Sequence, residues 1–276
     1  MMSDFLDFDA AVRRAEAVMA SEAADPTILP SGRSRLMSHG SRTRGSVLLL
    51  HGYHLSPAQF AGLADVFFAR GYNVWIPRAP CHGTVDPRAH KGVTAAGLTE
   101  YAAGAMDVAA GLGDEAGVVG ISGGAVLAAW LVRNRGDLVR DLLLLSPFFA
   151  PDPARAPAIL VRSMTVLYGR GLLPDRFTSR GYSMRAVAQY LRIAHRLGRP
   201  RRTGLRTVAV VISARDGVVD PVAAVSVPRA VAVANGVPLS VLTLPESLGI
   251  GHDTLHVDAT GLYTRYFELY EQARSF

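Results

Sequence analysis

The sequence has very little cysteine and no long apolar run. Its 276 residues include one cysteine, Cys81, which excludes an intrachain disulfide scaffold and a metal site built from several cysteines. No apolar run approaches the ~18–20 residues that a helix needs to cross a bilayer. Residues 1–24 mix acidic and basic side chains without the basic and apolar regions of a secretory signal. We therefore expect a cytoplasmic protein.

The composition is that of a folded protein with a large core. Hydrophobic residues make up 49% of the chain and charged residues 19%, which excludes a mainly disordered protein. The length suits one large α/β domain or two small domains.

The basic residues are almost all arginine and are unevenly distributed. Of 29 basic residues only Lys91 is a lysine, and the formal net charge is +6. The segment from Ala150 to Arg206 contains 12 arginines and 2 aspartates, a net charge of +10, so the rest of the chain is net acidic. An anionic substrate or an acidic lipid surface fits this segment. No aromatic pattern accompanies the arginines, so we predict no nucleic-acid partner. A solvated arginine-rich surface remains the simpler alternative.

Short apolar runs alternate with helical patterns from Val47 onward, which predicts a mostly parallel sheet with helices on both faces. The runs are Val47–Leu50, Asn73–Ile76, Gly117–Val119, Asp141–Leu145, Val208–Ile212 and Leu239–Leu244. The predicted helices are Pro57–Arg70, Thr99–Leu112, Gly124–Arg133, Val222–Ala234 and Thr260–Ala273. Residues 1–45 precede this pattern, with a predicted helix over residues 5–23 and a short strand at Arg35–Ser38.

One long interval interrupts the alternation. A loop without secondary structure that runs from residue 146 to residue 207 would be unusually long for a compact domain. The interval also has its own helical patterns, at Ala158–Leu173 and Met184–Leu197. We predict that residues 150–205 form an inserted helical cap on a core made of residues 46–149 and 206–276.

The sequence Gly120-Ile121-Ser122-Gly123-Gly124 lies between a predicted strand and a predicted helix. This G-x-S-x-G pattern is typical of a nucleophile elbow, a strained turn that exposes a serine hydroxyl and needs small neighbours. A pattern that fixes only three positions arises by chance in many chains, but its position between a predicted strand and a predicted helix favours Ser122 as a nucleophile.

A second candidate segment, His51-Gly52-Tyr53, directly follows the first buried run. A loop at this place can direct a backbone N–H at an oxyanion, so we predict that the amides of Tyr53 and Gly123 form the oxyanion hole. We expect His51 to support its loop and not to act as a base, whereas His54 can face the pocket.

Together these segments resemble the α/β-hydrolase superfamily, and within it the carboxylesterase and monoacylglycerol lipase branch. The matching segments are Leu48–Tyr53, Ser56-Pro57, Arg70-Gly71-Tyr72, Pro77–Gly83, the elbow, Ser213–Asp216, Asp220-Pro221 and Gly251-His252. Cys81 departs from this pattern, because the branch usually has glycine at that place.

The resemblance implies the α/β-hydrolase fold and a triad in the order Ser, Asp, His. Ser122, Asp216 and His252 fit that order, with Asp220 and His256 as the alternative acid and base. In the implied two-step acyl transfer, His252 activates Ser122 and Asp216 orients the imidazole. Neither a cofactor nor a metal is required.

The apolar residues and the arginines of the predicted cap help to choose between an esterase, a thioesterase and a binding protein. Its apolar residues favour an esterase or lipase for small-molecule acyl esters with apolar acyl chains, and Met164 and Leu167 are expected to line the acyl pocket. A thioesterase or acyltransferase acting on coenzyme A or carrier-protein thioesters is an alternative that would use the cap arginines. An inactive hydrolase fold used as a binding protein is another, although no triad member is evidently missing.

Overall fold

A seven-stranded sheet forms the centre of the chain in the computed structural model, which describes residues 6–255 and 261–272. The strands are β1 (Arg35–Met37), β2 (Thr43–Leu50), β3 (Tyr72–Ile76), β4 (Gly113–Ile121), β5 (Val139–Leu145), β6 (Thr207–Ser213) and β7 (Leu239–Leu244). Their order in the sheet is β1-β3-β2-β4-β5-β6-β7, and only β1 pairs antiparallel to its neighbour. All the predicted strands are therefore present, and β4 extends well beyond its predicted ends.

Helices cover both faces of this sheet. They are α1 (Phe8–Ala24), α2 (Ala61–Ala69), α3 (Ala95–Leu112), α4 (Gly123–Asn134), α5 (Ala158–Gly169), α6 (Met184–His195), α7 (Pro221–Asn235) and α8 (Leu262–Glu271). Both predicted ends of the last helix, at residues 260 and 273, lie outside the described residues. Within the described part of the chain, no helix combines the length and the apolar character needed to cross a bilayer.

Strand β5 shows why these runs are apolar at every position. Leu142 and Leu144 belong to the core that α1, α3, α4 and α7 cover, whereas Leu143 and Leu145 belong to the core under α2 and α8. Successive side chains of a strand point to opposite faces, so a strand covered on both sides must be apolar throughout. The predicted parallel α/β arrangement follows from this pattern.

Two helices, α5 and α6, lie between β5 and β6, in the segment predicted as a cap. They pack on each other, with Val161, Thr165 and Tyr168 as the buried residues near the middle and end of α5. The remaining apolar residues of α5 do not share one buried face: Ile159 is 80% exposed and Leu160 is 49% exposed. Some apolar residues of α5 therefore pack against α6, whereas others face the solvent.

Candidate active site

The Gly120–Gly124 elbow has the strained geometry that its pattern predicts. Strand β4 ends at Ile121 and α4 begins at Gly123, so Ser122 occupies the turn between them with φ 54° and ψ −114°. This positive φ is costly for a residue with a side chain. A Cβ on Gly120 would collide with the Gly124 carbonyl, and one on Gly124 would lie 2.6 Å from the His51 carbonyl oxygen. The glycines are thus required by close backbone contacts.

Ser122, His252 and Asp216 form one hydrogen-bonded chain. His252 Nε2 lies 2.8 Å from Ser122 Oγ, and His252 Nδ1 lies 2.8 Å from Asp216 Oδ2. An ionised carboxylate only accepts hydrogen bonds, so Nδ1 of a neutral imidazole has the proton and Nε2 accepts from the serine hydroxyl. The structure therefore brings together the three predicted residues, which lie in the segments that follow β4, β6 and β7.

Asp216 is held in its ionised form. Its Oδ1 accepts hydrogen bonds from the backbone N–H groups of Val218 at 2.8 Å and Val219 at 3.3 Å. Burial by itself raises the pKa of this carboxyl, but the hydrogen bond and charge of His252 and the two backbone donors outweigh it and lower the pKa below its ordinary value. A charged acceptor is consequently available to His252 at neutral pH.

The alternative acid, Asp220, has a different set of partners. Its carboxylate accepts from the N–H groups of Val222 at 2.8 Å and Ala223 at 3.2 Å, so it caps the N-terminus of α7. Pro221 follows at the first helical position. The alternative base, His256, lies outside the described residues.

Two backbone amides near Ser122 are free to bind an oxyanion. Within the described part of the chain, neither the Tyr53 nor the Gly123 amide donates a hydrogen bond. The neighbouring Gly52 amide instead donates to Gln59 Oε1 at 2.8 Å. A Cβ placed on Gly52 would lie 3.6 Å from Cβ of Ser122, so this loop runs directly beside the serine.

The other histidines of the region do not join the hydrogen-bonded chain of Ser122, and of these His51 and His82 are buried. His51 Nε2 accepts from the Ala79 N–H at 3.0 Å, and burial lowers its pKa to about 4, as a structural role requires. His82 is also buried, and its pKa is lowered to about 3 chiefly for the same reason. His54 borders the pocket, with a positive φ of 71°.

Gln59 is a site residue that the sequence did not single out. Its Oε1 accepts from the Gly52 amide, and its Nε2 donates to Asp253 Oδ1 at 3.1 Å. It therefore connects the loop after β2 with the loop that contains His252. No local pattern marks this glutamine, because its role depends on Asp253, which is distant in sequence.

A cavity of about 290 Å³ opens onto Ser122. Its walls are largely aromatic and apolar and include Tyr53, Phe148, Tyr182, Val187, Tyr190 and Val218. Tyr190 of α6 also packs on the elbow, since a Cβ on Gly123 would lie 2.8 Å from its ring. The described lining contains no residue of α5, so the expectation that Met164 and Leu167 line the acyl pocket is wrong. A separate hollow of about 420 Å³ between α1 and α3 contains none of these residues.

Comparison with known proteins agrees with this architecture. The model of the alpha/beta hydrolase family matches residues 47–265. The chain belongs to the alpha/beta hydrolase family. The resemblance stated from the sequence, and the fold that it implied, are confirmed. A search of curated proteins found no match.

Solved structures of lipolytic enzymes share the fold. A structure from work on LipS and LipT, two metagenome-derived lipolytic enzymes, aligns with 89% of this chain and 99% of its own length, at 19% identity and a TM-score of 0.67. The monoacylglycerol lipase of Paleococcus ferrophilus aligns with 87% of this chain and 97% of its own, at 16% identity and a TM-score of 0.65. A soluble variant of Saccharomyces cerevisiae monoglyceride lipase aligns with 87% of this chain and 90% of its own, at 12% identity and a TM-score of 0.64.

Proposed function

We propose that this protein is a serine hydrolase that cleaves carboxylic esters through Ser122, His252 and Asp216. The observation that supports this most is the pair of 2.8 Å hydrogen bonds that connects the serine hydroxyl to the imidazole and the imidazole to the carboxylate. A serine in a strained turn, beside a base that a buried carboxylate orients, is the arrangement that nucleophilic acyl transfer uses. The lipolytic activity of the structural neighbours agrees with this choice of substrate class.

The proposed reaction has two steps. In the first, Ser122 Oγ attacks the ester carbonyl while His252 Nε2 takes its proton, and the imidazolium then donates that proton to the departing alcohol. In the second, His252 deprotonates a water that attacks the acyl-enzyme, and Ser122 leaves with the returned proton. Asp216 stays ionised and stabilises the imidazolium in both steps.

The oxyanion of each tetrahedral intermediate is assigned to the amides of Tyr53 and Gly123. Both are free of other partners within the described residues, and Gly123 is the first residue of α4. The positive end of the α4 dipole therefore adds to the field at the developing negative charge.

The cavity favours an ester with an apolar acyl or alcohol part of modest length. At about 290 Å³ it is at the small end of ligand pockets, and its aromatic walls stabilise apolar groups. A panel of 4-nitrophenyl esters from acetate to palmitate, together with acyl-coenzyme A thioesters, tests this. We expect the highest kcat/KM at intermediate chain length, and a strong preference for the thioesters would instead support the thioesterase alternative.

We further propose that the outer face of α5 binds anionic lipid surfaces. This face is formed by Ile159, Arg162, Val166 and Arg170, which follow one another at helical spacing on the exposed side of the helix. Ile159 is 80% exposed and Val166 is 45% exposed. Apolar side chains between arginines match a bilayer whose headgroups are negative.

Vesicle binding tests this surface. Each arginine near an anionic surface contributes about 1 kcal/mol, so R162Q/R170Q should bind phosphatidylserine-containing vesicles about 30-fold more weakly. R13Q/R229Q removes two exposed arginines from other helices and is the matched control. Equal binding of the wild-type protein to neutral and anionic vesicles would show that the arginines are only a solvated surface.

A further inference from the structure

A tight turn between α5 and α6 borders the active-site cavity. The N–H of Gly181 donates to the Thr178 carbonyl at 2.9 Å, which closes a four-residue turn with Arg180 at its third position. The Thr178 N–H donates to the Tyr182 carbonyl at 2.9 Å, and Gly181 has a φ of 80° that suits glycine. Both Arg180 and Tyr182 are lining residues of the cavity.

The C-terminal end of this turn is fixed to the site. The Ser183 N–H donates to the Tyr53 hydroxyl at 3.0 Å, so the cap is bonded to the loop that supplies an oxyanion amide. Ser183 Oγ donates to Asp175 Oδ2 at 2.7 Å, and the Arg185 N–H donates to Asp175 Oδ1 at 2.9 Å. Arg180 therefore projects from a well-bonded turn whose position relative to Tyr53 is set.

Arg180 is the one arginine or lysine among the described residues that line the cavity. Its side chain is exposed and forms no hydrogen bond or ion pair within the described part of the chain. The one carboxylate in the lining, Asp253, already accepts from Gln59 Nε2 at 3.1 Å and from the Leu255 N–H at 3.1 Å. Among the described residues, this largely aromatic and apolar cavity is thus lined by one arginine that has no protein partner.

We propose that Arg180 binds an anionic group, a carboxylate or phosphate, that the preferred substrate has at some distance from its scissile ester. Ser122 and Arg180 both line the cavity, whose walls are largely aromatic and apolar, so the substrate would be an amphipathic ester with an apolar segment between the ester and the anion. A planar guanidinium is suited to two parallel hydrogen bonds with such oxygens. This inference rests on the proposed ester hydrolysis and specifies its substrate.

Matched substrate pairs test the proposal, with one pair for each end of the ester. On the acyl side, 4-nitrophenyl hexanoate is compared with the mono-4-nitrophenyl ester of adipic acid, in which a carboxylate replaces the terminal methyl group. On the alcohol side, phenyl hexanoate is compared with 4-(hexanoyloxy)benzoate. We expect kcat/KM about tenfold higher for the anionic member of at least one pair, mainly through a lower KM. Added salt should reduce that preference.

Variants assign the effect to this side chain. R180Q should abolish the preference and R180E should reverse it. R176Q, an exposed arginine of the same segment that does not line the cavity, is the matched control and should keep the preference. Binding of hexanoate and of neutral hexanamide to the unreacted enzyme, measured by calorimetry, should show the same preference for the anion and the same dependence on Arg180.

The outcomes separate this inference from the proposed function. Turnover of neutral esters with no preference for either anionic substrate, or a preference that survives in R180Q, overturns the role of Arg180 and leaves ester hydrolysis intact. Absence of turnover for every ester overturns the proposed function, and the calorimetric comparison of R180Q with the wild-type protein then decides whether the anion site exists.

Discussion

Replacing Asp216 with asparagine tests how the hydrogen-bonded chain works. The Val218 and Val219 N–H groups need an acceptor, so the asparagine oxygen should take the place of Asp216 Oδ1 and the NH₂ group should face His252. An NH₂ group only donates, so His252 Nδ1 must then be unprotonated and the proton moves to Nε2. An imidazole in that tautomer cannot accept the proton of Ser122.

The expected loss is large although the exchange is small. A wrong tautomer in a triad of this kind lowers kcat by about 10³–10⁴, equivalent to about 4–5.5 kcal/mol of activation free energy. The fold should lose only about 1 kcal/mol, because both backbone hydrogen bonds persist. Steady-state hydrolysis of 4-nitrophenyl butyrate at pH 7.5, together with a thermal melt, measures both quantities.

Asp220 provides the control for this variant. Asparagine caps a helix about as well as aspartate, so D220N should leave both kcat and Tm nearly unchanged. The reasoning is refuted if D216N keeps near wild-type kcat, or if D220N loses activity while D216N does not.

Five further variants test the elbow, the buried His82 and the cavity wall. G124A should unfold the protein or abolish activity because its Cβ meets the carbonyl oxygens of Leu50 and His51 at the end of β2. G104A, in the middle of α3, would place its Cβ 3.2 Å from the flexible end of the Arg14 side chain, which can shift, and should raise stability by about 0.5–1 kcal/mol; thermal melts compare the two. Burial lowers the pKa of His82 from its ordinary value of 6.5 to about 3 in the folded protein. Between these two pH values the unfolded chain binds a proton that the folded chain does not bind. The free energy of unfolding therefore falls as pH falls over this range, by about 1.4 kcal/mol per pH unit. H82Q should flatten the urea-unfolding profile over that range, and an unchanged slope would contradict this. V187W should lower kcat/KM for long esters far more than for acetate, while M164W, outside the cavity lining, should not; the reverse result would return the acyl pocket to α5.

Local sequence patterns predicted the sheet and the position of Ser122. A strand covered on both faces must be apolar at every position, and a nucleophile elbow needs glycine where backbones touch, so both leave a readable sequence pattern. Helix capping also has a local pattern, and Asp220 before Pro221 follows it. Asp216 and His252 were predicted from the resemblance to the α/β-hydrolase superfamily, and they lie beside Ser122 because parallel strands bring their carboxyl ends to one edge of the sheet.

The cavity wall was less predictable because it depends on contacts between distant segments. The apolar content of α5 suggested a pocket lining, but Val187 and Tyr190 of α6 border the cavity instead, and Ile159 faces solvent. Which side of a cap helix faces the core depends on how α5 and α6 pack on each other. Gln59 and Arg180 likewise gain their positions only through the tertiary fold.

The most direct test of the account is labelling by a fluorophosphonate probe, followed by intact-mass and peptide analysis. The wild-type protein should gain one probe adduct, located on Ser122, with the rate of labelling strongly reduced in H252A and absent in S122A. Labelling of another residue, or S122A that still reacts and still hydrolyses 4-nitrophenyl butyrate, would contradict the assignment of Ser122 as the nucleophile.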